Sequence, residues 1–278
     1  MEDNNKIIVI PLGTVSPYCK DDKNCPGFLI KYKNKKILLD CGSGITRLLN
    51  MPYDLNDLII IISHLHKDHY SDLSSIGYAS YIYKNLGYIN DKIKVYIPKG
   101  DTINITELYN DKDGWGCSRK VSKPISDFEY LTNFGDENNF EIIPYTTNNK
   151  VEYGEIKITF ARNPHQLITH SIKIEVSDKI IVYSSDTGYK NNILESFAKN
   201  ADLLICESSY IKGQYKSSDN HLYAYEAAII AKKANVKELL LTHFWPEIDK
   251  EKYECEAREI FINTESAKEN KKIILRRN

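Results

Sequence analysis

No Cys-x-x-C pair occurs among the six cysteines (Cys19, Cys25, Cys41, Cys117, Cys206 and Cys255), which argues against a thiolate zinc knuckle and a dithiol redox motif. Scattered in this way they read as free thiols of a reducing compartment, with Cys19 and Cys25 spaced so that they can pair around a short loop. Apolar runs near the roughly 20 residues needed to cross a bilayer are missing as well, so no membrane partner is expected. Charge of one sign is also lacking. Lys+Arg of 37 against Asp+Glu of 38 gives a net charge of −1, which leaves no overall field to draw nucleic acid or acidic lipid. The polar start from Met1 to Lys6 runs straight into Ile7-Ile8-Val9-Ile10 and lacks the regions of a signal peptide, so the expected location is cytoplasmic. No long low-complexity linker divides the 278 residues, and one domain over 1–278 is the simplest organisation.

Histidine is scarce, at seven residues, yet three of the seven and an aspartate fall within His64-Leu65-His66-Lys67-Asp68-His69. The cluster directly follows Leu58-Ile59-Ile60-Ile61-Ile62, which reads as a buried strand. Imidazole nitrogen and carboxylate oxygen suit zinc or a similar divalent ion, and residues two apart on extended chain point the same way. Four donors so close together exceed what one open catalytic site uses, so the spacing suggests two metal ions sharing one loop.

Elsewhere the chain alternates short β-rich runs with turn formers. Lys6 to Leu12, Gly27 to Tyr32 and Lys36 to Asp40 read as strands, then Leu73 to Leu86 as helix. In the second half, Lys150 to Ala161, Leu167 to Val176, Lys179 to Ser184, Asp202 to Cys206 and Glu238 to Thr242 are expected strands. Asn191 to Ala198, Leu222 to Lys233 and Lys252 to Ile262 are expected helices. Two β-rich halves that each finish in β/α elements point to two sheets face to face with helices outside. The segment 100–139 looks like an irregular insertion, with Gly114-Trp115-Gly116 and Lys123-Pro124 interrupting any element.

Two metals need donors from later strand ends, and these are present. His165 follows Ile158-Thr159-Phe160-Ala161, Asp186 follows Ile180-Ile181-Val182-Tyr183, and His243 follows Leu239-Leu240-Leu241-Thr242. His170 sits inside a strand-like run and reads as structural.

The order His-x-His-x-Asp-His, a lone histidine, Ser184-Ser185-Asp186-Thr187-Gly188 and Leu241-Thr242-His243-Phe244 resembles the metallo-β-lactamase fold superfamily across almost the whole chain. Cys25-Pro26-Gly27-Phe28 through Leu38-Leu39-Asp40-Cys41-Gly42 is similar to the first hairpin of that superfamily. The resemblance implies an α/β fold, a four-layer αβ/βα sandwich with the site on its rim. It also implies one metal at His64, His66 and His165, a second at Asp68, His69 and His243, and Asp186 bridging them. The ions implied are zinc, with manganese or iron as alternatives.

His221, in Asn220-His221-Leu222-Tyr223-Ala224, resembles the His-x-x-Ala element of ribonuclease Z and related phosphodiesterases. Only 20 residues separate His165 from Asp186, where ribonuclease Z carries its tRNA-grasping arm. The implied reaction is therefore hydrolysis of a small phosphodiester or cyclic nucleotide. Two metals would lower the pKa of a bridging water to about 7, with Asp68 and an exposed, protonated His221 as catalytic groups and Glu207 orienting His221. Ribonuclease Z-like cleavage of nucleic acid, thioester or lactone hydrolysis on the same metals, and a non-catalytic metal-retaining sensor are the alternatives. A homodimer is compatible with all of them. Ser184, Ser185 and Thr187 are expected to support the site by hydrogen bonds, and Trp115, Arg119, Phe244 and Trp245 to form a substrate wall.

Overall fold

The computed structural model describes residues 6–100, 102–110, 116–124, 139–190, 192–214 and 219–276, with 102–110 and 116–124 described as backbone. The first sheet begins with β1 (Lys6–Gly13), β2 (Gly27–Tyr32), β3 (Lys35–Leu39), β4 (Leu58–Ile61) and β5 (Ile93–Pro98). β6 (Thr102–Asn110) and β7 (Gly116–Pro124) form a separate two-stranded hairpin, and β8 (Phe140–Tyr145) returns to the first sheet. The second sheet is built from β9 (Lys150–Tyr153), β10 (Ile156–Arg162), β11 (His170–Val176), β12 (Lys179–Tyr183), β13 (Leu203–Glu207), β14 (Glu238–Thr242) and β15 (Thr264–Ser266). β16 (Ile273–Arg276) closes the first sheet against β1. Spatial orders are β16-β1-β2-β3-β4-β5-β8 and β15-β14-β13-β12-β11-β10-β9.

The helices are α1 (Leu73–Asn85), α2 (Ile193–Phe197), α3 (Ala224–Ala234) and α4 (Lys250–Arg258). Alternation within the apolar runs explains how sheets and helices stack. Ile59 and Ile61 face the core between the sheets, while Leu58, Ile60 and Ile62 face a second core with Leu73 and Ile76 of α1. In the other sheet Leu203 and Ile205 turn inward, and Leu204 and Cys206 turn out toward Ala227, Ala228 and Ala231 of α3. Strands buried on both faces need apolar residues at every position, which is why the sequence shows runs instead of alternation. The layers are helix, sheet, sheet, helix, matching the fold expected from the sequence.

In each sheet a set of strands runs parallel: β3, β4, β5 and β8 in the first, and β12, β13, β14 and β15 in the second. Their carboxyl ends face one rim, where ligands of layered α/β folds bind.

The structure corrects several element boundaries. The expected single strand Lys150 to Ala161 is a hairpin, because Gly154 takes a left-handed φ of 65° and turns the chain between β9 and β10. The strand expected from Leu167 begins at His170. The helix expected from Leu222 starts at Ala224, with the Glu226 carboxylate accepting the Tyr223 amide at 2.9 Å, so His221 lies in the loop before it. The insertion 100–139 is not irregular throughout: β6 and β7 pair over nine residues each. Its breakers stand at the hairpin's ends, Gly116 opening β7 and Pro124 closing it. Among the described residues no helix is long and apolar enough to cross a membrane.

Candidate metal centre

β4 delivers the histidine cluster to the rim, where Lys67–His69 form a single 3₁₀ turn. This turn separates two pairs: His64 and His66 precede it, while Asp68 and His69 lie within it. The distant donors arrive at the ends of other strands, His165 after β10, Asp186 after β12 and His243 after β14. Asp40, Ser185 and His243, just past the ends of β3, β12 and β14, adopt left-handed φ values of 57°, 53° and 65°. Such conformations cost on the order of 1–3 kcal/mol each and persist where the surroundings hold them. Gly188 fills another tight position: a Cβ there would stand 1.9 Å from the Asp219 carbonyl oxygen, beside Asn220 and His221.

Two donor groups share one carboxylate. His64 Nε2 and His66 Nδ1 are 3.0 Å apart, His165 Nε2 is 3.2 Å from His66 Nδ1, and Asp186 Oδ2 is 3.4 Å from His64 Nε2 and 3.8 Å from His165 Nε2. On the other side, Asp186 Oδ1 lies 3.3 Å from His69 Nε2 and 3.0 Å from His243 Nε2. Asp68 Oδ2 completes that group at 3.6 Å from His69 and 3.8 Å from His243. Tetrahedral coordination with zinc–nitrogen bonds of about 2.0–2.1 Å separates ligand atoms by about 3.3–3.4 Å. The observed spacings bracket this value. Asp186 Oδ1 is buried with no hydrogen-bond donor, as expected of an oxygen reserved for a cation. The residues therefore fit a pair of divalent ions.

The tautomers fit as well. His69 Nδ1 donates to Asp40 Oδ2 at 2.7 Å, which leaves Nε2 bare toward Asp68 and His243. His64 Nδ1 donates to Ser63 Oγ at 3.1 Å, and that hydroxyl donates onward to Asp40 Oδ2 at 2.8 Å. Tyr183 Oη and the Ser63 amide also donate to Asp40, each at 2.7 Å, so one buried carboxylate orients a histidine in each donor group. His165 Nδ1 donates to the Asn220 carbonyl at 3.1 Å. His243 Nδ1 donates to Ser209 Oγ at 2.9 Å, and Ser209 donates to Glu207 Oε2 at 2.8 Å. Such partners fix ring orientation and raise ligand basicity.

Burial holds His64 down to about 4, assisted by neighbouring His69, and lowers His66 and His165, so these rings are neutral at pH 7. Burial acts the same way on His69, but Asp186, Asp68 and Asp40 outweigh it and hold that ring well above the usual imidazole range. Three carboxylates surround this one ring, Asp40 at Nδ1 and Asp186 and Asp68 at Nε2, and call for positive charge there.

Next to the donors stands a second pair. His221 Nδ1 donates to Glu207 Oε1 at 3.0 Å and lies 3.9 Å from Asp186 Oδ2. Burial opposes protonation of His221, but the Glu207 carboxylate and then Asp186 raise it to about 9. His221 is half-buried, not exposed as the sequence suggested, because Glu207 draws it inward. Glu207 itself is buried and also accepts the Thr187 amide at 2.7 Å and the Leu222 amide at 3.2 Å.

The expected wall is partly dismantled. Phe244 is 1 % exposed and packs on Tyr253, since it alternates with His243 into the helix-side core. Trp245 is 39 % exposed and meets Tyr18 edge-on. Trp115 and the Arg119 side chain lie outside the described residues. Ser185 donates to Ser63 Oγ at 2.6 Å, Ser184 accepts the Glu207 amide at 2.9 Å, and Thr187 contributes its amide while its hydroxyl turns to Gly188. Sequence reasoning missed roles for Asp40, Ser63, Tyr183 and Ser209, and for Ser16, whose hydroxyl donates to Asp68 Oδ2 at 2.7 Å. A polar residue closing an apolar run marks Asp40 and Ser63; nothing in the sequence marks Ser16.

Residues 7–265 match the family model described as anti-Pycsar protein Apyc1. The chain belongs to this Apyc1 family. Within the metallo-β-lactamase fold it is also related to a ribonuclease Z of Clostridium acetobutylicum, 30% identical over 292 aligned residues that cover 90% of this chain and 92% of that one. A probable metallo-hydrolase of Bacillus subtilis, YhfI, is 27% identical over 219 residues, 78% of each chain. The crystal structure of YhfI, a metallo-β-lactamase fold protein, superposes with a TM-score of 0.78 at 25% identity, covering 98% of this chain and 100% of that one. This Apyc1-family chain is thus a metallo-hydrolase of the metallo-β-lactamase fold with a histidine and aspartate metal site.

Proposed function

We propose that the protein is a dinuclear phosphodiesterase that hydrolyses a small cyclic nucleotide. The observation that carries this reading is the Glu207–His221 pair beside the shared Asp186 carboxylate. A proton donor is needed where an alkoxide leaves, as in phosphodiester cleavage. Membership in a family described as anti-Pycsar supports a cyclic-nucleotide substrate.

His64, His66 and His165 with Asp186 Oδ2 would hold one ion, and Asp68, His69 and His243 with Asp186 Oδ1 the other. Zinc suits this donor set, and manganese or iron are accepted by the same groups. When bound, the ions supply Lewis acidity toward a phosphoryl oxygen and a nucleophilic water at neutral pH. The chain's own part is positional and protonic. His221 keeps Nδ1–H on Glu207 and so presents Nε2–H, from which a proton passes to the leaving oxygen; such acids accelerate reactions by about 10²–10⁴-fold. Ser16 holds the Asp68 carboxylate in place.

The short β11–β12 hairpin between His165 and Asp186 leaves no room for a tRNA-grasping arm there, which disfavours tRNA as the substrate. Assay of the metal-loaded protein on nucleoside 3′,5′- and 2′,3′-cyclic phosphates, a pre-tRNA, S-lactoylglutathione and nitrocefin tests the reading. Turnover confined to the pre-tRNA, S-lactoylglutathione or nitrocefin would overturn it.

A further inference from the structure

Two thiols outside the donor groups stand beside the metal centre. Cys19 is exposed, Cys25 is buried, and their Sγ atoms are 3.6 Å apart. Both lie in the loop between β1 and β2. A disulfide holds its sulfurs about 2.05 Å apart, so closing the bond needs an approach of about 1.5 Å.

This loop touches the metal centre on either side of the thiols. Before Cys19, the Ser16 amide donates to the Phe244 carbonyl at 3.0 Å and the Phe244 amide to Thr14 at 2.9 Å, directly after His243. Ser16 Oγ donates to Asp68 Oδ2. At Cys25 the packing is closed: a Cβ added at Gly42 would meet Cys25 Cβ at 2.7 Å and the Asp68 carbonyl oxygen at 2.1 Å. The Cys25 amide is also fixed on the Ser43 carbonyl at 3.0 Å. The Cys25 backbone is therefore held in place. The approach falls to Cys19, whose Sγ must leave the Ser43 carbonyl now 3.1 Å away, drawing the segment 16–19 with it.

We propose that Cys19 and Cys25 are a thiol-modification site at which a low-molecular-weight disulfide closes a Cys19–Cys25 bond and shifts Ser16 off Asp68. The Cys19 thiolate attacks one sulfur of the reagent, forming a mixed disulfide and expelling one thiolate. Cys25 then attacks Cys19 Sγ, the second reagent thiolate leaves, and the two cysteine protons end on the two released thiols. Two cysteine thiols and one disulfide become one protein disulfide and two small thiols, so electrons balance without a further oxidant.

Bond formation is independent of the proposed function; its effect on turnover rests on that reading. The full-length, metal-loaded protein is incubated with oxidised glutathione, then mapped as unreduced peptides, titrated with a chromophoric chelator and assayed on a cyclic nucleotide. The expected result is a Cys19–Cys25 peptide two hydrogens lighter, about tenfold weaker retention of one ion and slower turnover, all reversed by dithiothreitol. Cys19→Ser retains basal turnover and ignores the reagent. Glutathione left on Cys19 without the internal bond overturns the site, and a bond that leaves ion retention unchanged overturns its coupling to Asp68. A bond with weakened ion retention in a protein inactive on every cyclic nucleotide sinks the proposed substrate but sustains the site.

Discussion

Replacing Asp40 by asparagine tests whether one carboxylate tunes both halves of the centre. Asp40 Oδ1 accepts the Ser63 amide, and Oδ2 accepts Ser63 Oγ, His69 Nδ1 and Tyr183 Oη, all at 2.7–2.8 Å and all buried. An asparagine retains a single acceptor oxygen. Its least costly orientation puts that oxygen where Oδ2 was and its NH₂ against the Ser63 amide, so two donors face each other. One bond to a charged acceptor is lost, at about 1.5–3 kcal/mol, and a buried donor is left unpaired, at about 1–3 kcal/mol more. The total of about 2.5–6 kcal/mol is a large share of the 5–15 kcal/mol typical of a folded domain.

The functional part is separable from that cost. Without a full charge on Asp40, His69 becomes a weaker base and Ser63 is less firmly oriented toward His64, so ion affinity should fall about 10–100-fold. Tyr183→Phe is the graded companion: it removes one donor and leaves nothing unpaired, so its stability cost stays near 1.5–3 kcal/mol. Competition with a chelator gives the affinities, and melting of ion-free protein gives the stability. If Asp40→Asn lowers the melting temperature but retains wild-type ion affinity, Asp40 is only structural and the orienting argument fails.

Other outcomes follow from the same geometry. His221→Ala should retain about two ions yet lose about 10²–10⁴ of turnover on bis(p-nitrophenyl) phosphate, counted by metal analysis and initial rates; unchanged turnover removes its acid role. Since His221 is raised to about 9, wild-type turnover should decline as pH rises through that region, and Glu207→Gln should move the decline to lower pH. Asp186→Ala removes an oxygen from each donor group, and a full complement of two ions in that variant would refute the bridge. His170 is held down to about 4 by burial and then by Arg162, below its unfolded value of about 6.5. Its neutral form therefore adds stability above pH 6.5 that disappears as pH falls through 4. His170→Phe should flatten the pH dependence of ion-free melting in that window, and an unchanged slope would sink the assignment.

What the sequence revealed and what it concealed divide on physical grounds. Apolar runs that bury both faces are visible because hydrophobic demand acts on every residue, as in Leu58–Ile62 and Leu239–Leu241. Donors at the ends of such runs are visible for the same reason, a polar group being conspicuous where burial stops. Asp40 fits that rule too, but its importance is contextual: it matters because Tyr183 of the opposite sheet and His69 of a different loop reach it, and sheet-to-sheet register is not written in any local pattern. Phe244 shows the converse. It adjoins a metal donor in sequence, yet the left-handed turn at His243 sends the histidine to the rim and leaves Phe244 in the core. Backbone conformations at Asp40, Ser185 and His243 thus carry positional information that residue type alone does not. Because an alanine there would keep the turn's cost while losing the contacts that sustain it, substitutions at these three positions should disturb the backbone as well as the chemistry. Asn is the informative replacement at such sites, as it tolerates the left-handed region better than other residues of its size.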